Sequence, residues 1–129
     1  YSTHPYFRER IDFVNFLDKN NDTFDLEEEK KFSFIKAKFL GYGSDLNKIN
    51  KLNFPYKNYS EAIFEAKNGN LSVSLKKINE LIKFFYNNYF LIETKADILF
   101  SYGYTKESIE FYKIVLNMEV HVKIYLIII

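Results

Sequence analysis

The chain has 129 residues, 47% of them hydrophobic, with 14 Phe and 11 Tyr, enough apolar surface for one compact domain or for a helical hairpin plus a short repeat array. Its 18 basic and 17 acidic side chains nearly cancel, and the lysines lie scattered among acids, which disfavours nucleic acid or a membrane surface as partner. The absence of cysteine excludes disulfides and thiolate metal sites.

Residues 1–5 (YSTHP) read as an extended lead-in, because the residue before Pro5 is pushed away from the helical region. From Tyr6 to Asp18, Ile11, Val14 and Leu17 recur at helical spacing, with Phe7 one turn earlier. Asn20, Asn21 and Asp22 break that helix. Thr23 or Asp25 can cap the next, and Glu27–Glu29 put negative charge on its first turn, where the helix dipole favours it. This second helix is expected to run to about Leu40, burying Phe32, Ile35 and Phe39, with Ala37 at a close approach and Gly41 and Gly43 as stops. Residues 45–52 suit a short helix with Leu46, Ile49 and Leu52 inward, and Pro55 marks a boundary.

Four more helices follow. Their expected spans are Tyr56–Asn68, Leu71–Phe85, Tyr89–Tyr102 and Lys106–Asn117, with turns at Gly69–Asn70 and Gly103–Tyr104 and a break at Asn87–Asn88. The last ten residues, VHVKIYLIII, are too few to cross a bilayer, which takes ~20 apolar residues. They read either as a buried packing segment, strand-like or helical, or as an aberrant tail. No leader pattern opens the chain, which reads as a fragment of a longer protein.

Two stretches repeat at a spacing of 34 residues: Ala62, Gly69, Ser74, Leu75, Ile78, Leu81 and Ile82 match Ala96, Gly103, Ser108, Ile109, Tyr112, Val115 and Leu116. The pattern has a steric logic. Ala62 with Ser74, and Ala96 with Ser108, are small enough for paired helices to close on each other. Gly69 and Gly103 permit a left-handed turn between them. Leu75, Ile78, Leu81 and Ile82 form the stripe that meets the next hairpin, mirrored in the second copy. This resembles the tetratricopeptide family over Tyr56–Met118. The departures are Ser in place of the usual Ala on each second helix and the missing Pro after each repeat. The expected fold is therefore all-α, a helical hairpin followed by two tetratricopeptide-like helix-turn-helix repeats in an α-solenoid. It divides into 1–55 (hairpin), 56–118 (repeats) and 119–129 (tail).

Ser2, Thr3, His4, Pro5, Arg10 and Ile11 form the pattern STHP-x4-RI, followed by a helix, then AKFLGYG, a short helix and the repeats. That order resembles the C-terminal part of bacterial periplasmic zinc metallopeptidases with tetratricopeptide repeats, the family that includes the β-barrel assembly-enhancing protease. The resemblance implies a catalytic domain bearing HExxH ahead of the STHP segment, a periplasmic location, and a role in outer-membrane protein assembly and quality control. It also implies zinc in the parent enzyme, with none bound by this chain alone. His4 is then the tentative metal-facing residue, at the border of the parent's active-site cleft; capping the following helix is its plainer role. The two histidines, His4 and His121, stand 117 positions apart, so the imidazole pair that HExxH needs one helical turn apart is missing. No catalytic residue is assigned.

In such arrays the first helix of each hairpin lines the groove. By register, Tyr59, Ile63 and Lys67 of the first copy and Glu93, Asp97 and Phe100 of the second face it. Aromatic rings with mixed charge suit an extended or helical polypeptide; equally, Ile63 and Phe100 can be packing residues, and Lys67 and Asp97 plain surface charges. Two functions remain: the substrate- or partner-binding C-terminal region of a zinc metalloendopeptidase, or a freestanding tetratricopeptide protein–protein interaction adaptor.

Overall fold

The structure, a computed structural model, describes residues 26–128, with side-chain surroundings from 29 to 118. Ser2, Thr3, His4, Pro5, Arg10 and the helix expected over residues 6–18 lie outside the described residues. The described residues form six helices and no strand: α1 (Leu26–Tyr42), α2 (Leu46–Ile49), α3 (Tyr56–Lys67), α4 (Leu71–Phe84), α5 (Tyr89–Ser101) and α6 (Thr105–Ile128). The fold is all-α, as the sequence leads one to expect.

Short turns fold α3 on α4 and α5 on α6, and the second hairpin meets the first through α5. Both turns use one device. Gly69 and Gly103 take φ of 85° and 88°. The following amide reaches back across the helix end, Asn70 to Glu65 and Tyr104 to Leu99, each at 2.9 Å. This left-handed cap satisfies carbonyls that the helix end would otherwise leave orphaned, and glycine enters it without steric penalty. Ala62, Ser74, Ala96 and Ser108 are all fully buried. In the first hairpin the Ser74 hydroxyl donates to the Ala62 carbonyl at 2.6 Å, so backbone and side chain touch across the seam.

α1 departs from expectation in two ways. Its buried residues are Phe34, Ala37 and Gly41, whereas Phe32, Ile35 and Phe39 are only half-buried. The helix also passes through Gly41, which lies against α3: a Cβ there would stand 2.8 Å from both the Ile63 Cβ and the Ser60 carbonyl oxygen. Gly41 is therefore a contact point between helices and not a stop. The helix ends in the same cap as the repeats, with Ser44 in the left-handed region at φ 56° and the Asp45 amide bonded to the Leu40 carbonyl. In α2 the Asp45 carboxylate caps the Lys48 amide at 3.2 Å. Ile49 is buried there, but Leu46 faces solvent.

Phe34, Ala37, Tyr59, Ala62, Ile63, Ile78, Leu81 and Leu91 form the core, drawn from α1, α3, α4 and α5. The second stripe differs from the first. Leu75 and Ile82 pack on the core, while their images Ile109 and Leu116 are 45% and 58% exposed. α6 also outruns the expected end at Asn117 and continues as helix to Ile128. The positions 34 beyond Asn87 and Asn88 hold His121 and Val122, so the paired asparagines that separate the two copies have no image here to end the helix.

Candidate functional site

The same backbone position carries different chemistry in the two copies. On α3 the row is Tyr59, Ile63 and Ala66; on α5, 34 residues later, it is Glu93, Asp97 and Phe100. The first row is covered by α1, leaving Tyr59 and Ile63 at 0% and 1% exposure. They are core residues and offer no surface to a partner, which corrects their assignment to an open groove. The physical reason is α1 itself. Phe34 sets its ring edge-on against Tyr56 at 5.0 Å and Tyr59 at 5.4 Å, and stacks near Phe90 of α5 at 6.2 Å.

The Tyr59 hydroxyl is buried with Thr94 of α5. Thr94 donates its own proton to the Phe90 carbonyl at 2.8 Å, so Tyr59 donates to Thr94. Burial, above all, pushes the Tyr59 phenol far above its usual range. Lys67, also expected in the groove, donates instead to the Tyr42 carbonyl at the end of α1 and fastens the two helices.

The second row remains accessible at the surface. Phe100 is 57% exposed. Lys38 of α1 reaches across to Glu93 at 3.6 Å and Asp97 at 3.8 Å. Asp97 also accepts a hydrogen bond from the Tyr112 hydroxyl of α6. Burial, then that bond to a carboxylate, holds the Tyr112 phenol well above its ordinary value. The structure thus brings Glu93, Asp97 and Phe100 together and adds Lys38 and Tyr112, which the sequence reading did not select. Tyr112 was visible in principle. Ile63 and Ile78 of the first copy become Asp97 and Tyr112 in the second, so an apolar pair is exchanged, both members at once, for a hydrogen-bonded one.

One lysine faces two carboxylates, so the cluster keeps a surplus negative charge beside an exposed ring. That combination attracts a cation on an aromatic or aliphatic stem. Behind it, Lys95 lies over the Phe111 ring at 4.3 Å, and burial lowers the pKa of its ammonium. Among the described residues no three of His, Cys, Asp and Glu come together in a way that could hold a metal; His4 lies outside them. Comparison of the chain with protein-family models, with curated proteins and with solved structures gives no match.

Proposed function

We propose that this chain is a polypeptide-binding helical module whose recognition surface is the Glu93–Asp97–Phe100 row of α5. It would take an extended or helical segment that offers lysine or arginine to the two carboxylates and an apolar side chain to Phe100. One observation carries the reading: at matched positions the first copy is apolar and covered, whereas the second is charged and accessible. A purely structural duplicate would have no need of that difference. Lys38 acts as an internal competitor, occupying the acids with the charge that a ligand would supply.

The resemblance of STHP-x4-RI, AKFLGYG and the repeats supports a parent context for this module, the substrate- or partner-recruiting C-terminal region of a periplasmic zinc metalloendopeptidase in outer-membrane protein assembly. An in-frame HExxH in the DNA upstream of Tyr1 is expected on that account. Its absence would leave the adaptor reading in place.

Binding is tested by fluorescence anisotropy with a panel of labelled peptides that vary in charge and apolar content. Basic, apolar-anchored peptides should bind; Glu93→Gln with Asp97→Asn should weaken them at least tenfold, and Lys38→Met should tighten them. Both variants should keep wild-type helix content. Equal affinity for acidic and basic peptides, or indifference to both variants, would reject the surface.

A further inference from the structure

The hairpin geometry places the start of α3 and the end of α4 at one end of the bundle, and the α2–α3 and α4–α5 connections meet there. Phe54 of the first connection touches Phe84 edge-on at 5.8 Å and Phe85 at 6.2 Å. Phe85 packs down onto the core. Phe54, Phe84 and Tyr86 do not: they are 56%, 72% and 72% exposed. Exposed aromatic rings gathered at one tip are uncommon on a surface with nothing to bind.

The two connections carry charge of one sign, while α1, which runs alongside α3 with Phe34 level with Tyr56, brings Glu27–Glu29 together with Lys30 and Lys31 to the same end. Residues 50–58 (NKLNFPYKN) and 83–89 (KFFYNNY) hold Lys51, Lys57 and Lys83 and no acid. No described carboxylate pairs with these three lysines. Glu80, the nearest acid along α4, sits a full turn above Phe84, away from the tip. The scatter of lysines along the sequence therefore hides a local excess that only the fold assembles.

We propose that this end of the bundle docks on an anionic lipid bilayer, setting Phe54, Phe84 and Tyr86 into the headgroup–acyl boundary with Lys51, Lys57 and Lys83 against the lipid phosphates. All three rings stand more than half exposed, which suits a deformable surface that can close around them. Among the described residues no helix is long and apolar enough to cross a membrane, so attachment is interfacial. The course of α6 fits the same direction. It pairs with the 13-residue α5 but has 24 residues, so it continues past the end at which α5 begins, the end that carries the rings. This site is separate from the α5 row, and its failure would leave that reading untouched.

The chain contains no tryptophan, so Phe84→Trp gives a single clean reporter. Mixed with phosphatidylcholine vesicles containing phosphatidylglycerol, its emission should shift to the blue and be quenched by brominated acyl chains. In vesicle flotation, Phe54→Ser with Phe84→Ser should weaken binding by about tenfold or more. Changing Lys51, Lys57 and Lys83 to Gln should weaken it roughly fivefold per lysine on anionic vesicles and little on neutral ones. Both sets replace side chains that are exposed or, at Lys57, half-buried, and circular dichroism checks that they fold. The proposal is overturned by absence of binding to anionic vesicles at low salt. It is equally overturned if binding survives both sets of substitutions, since another part of the chain would then carry it.

Discussion

Replacing Gly41 by alanine probes the contact that seats α1 on α3. In an isolated helix the change would stabilise by about 0.5–1 kcal/mol, because glycine loses more backbone freedom on folding. Here the new Cβ meets the Ile63 Cβ and the Ser60 carbonyl oxygen at 2.8 Å, and the Ile63 Cγ2 at 3.0 Å. None of these is the loose end of a long side chain: one is backbone and the others belong to a β-branched residue with little rotamer choice. α1 must therefore back away by several tenths of an ångström, thinning the contacts of Phe34 and Ala37 as well. Overpacking of this kind costs about 1–3 kcal/mol, so the net effect is a loss of about 1–2 kcal/mol, a fall of roughly 4–7 °C in Tm for a chain of this size. Thermal and urea unfolding followed by far-UV circular dichroism measure it, and amide exchange should quicken in α1 while α5 keeps its protection. An unchanged or raised Tm would show that the helices do not meet at Gly41.

Thr94→Val should cost more than Tyr59→Phe, about 2 against about 1 kcal/mol, because valine strands a buried phenol donor whereas phenylalanine merely vacates an acceptor. The double substitution should cost less than the sum, and urea midpoints for the four proteins read the difference. The raised Tyr59 phenol sets an alkaline limit. The unfolded phenol ionises near its ordinary 10.0 while the folded one does not, so this contribution is intact below that value and declines at about 1.4 kcal/mol per pH unit above it. Tyr59→Phe should flatten the decline, seen in urea midpoints between about pH 9 and pH 11. Ser44 occupies the left-handed cap of α1 at φ 56°; Ser44→Gly should raise stability by about 1 kcal/mol, and a fall in Tm would contradict the cap.

The repeat was legible because its demands are local. A left-handed turn needs glycine at Gly69 and Gly103, and a tight seam needs small side chains at Ala62, Ser74, Ala96 and Ser108. Each leaves a mark at its own position. α1 was harder to orient, since apolar residues ring the helix: Phe32, Phe34, Ile35 and Phe39 allow more than one buried face. The choice of Phe34 and Ala37 is made by α3, a partner some twenty residues away in sequence. Gly41 was misread for a related reason, because a glycine that ends a helix and one that admits a neighbour look alike in one dimension. The groove assignment failed at Tyr59 and Ile63 because the register gives a direction but not what lies over it. Their apolar character against Glu93 and Asp97 was the available clue. The lysines around Phe54 and Phe84 were likewise invisible as a group, being about thirty positions apart until the hairpin closes.

The covering of one of the two matched surfaces but not the other gives the twin hairpins unequal tolerance of substitution. A change at Tyr59 or Ile63 alters whether the protein folds, and will be tolerated only where volume and polarity are kept. On the proposed reading, the same change at Glu93 or Asp97 would act first on binding, at the cost of the Lys38 pairs and the Tyr112 hydrogen bond. One copy thus serves as ballast, and its sibling keeps a charged face turned to the solvent.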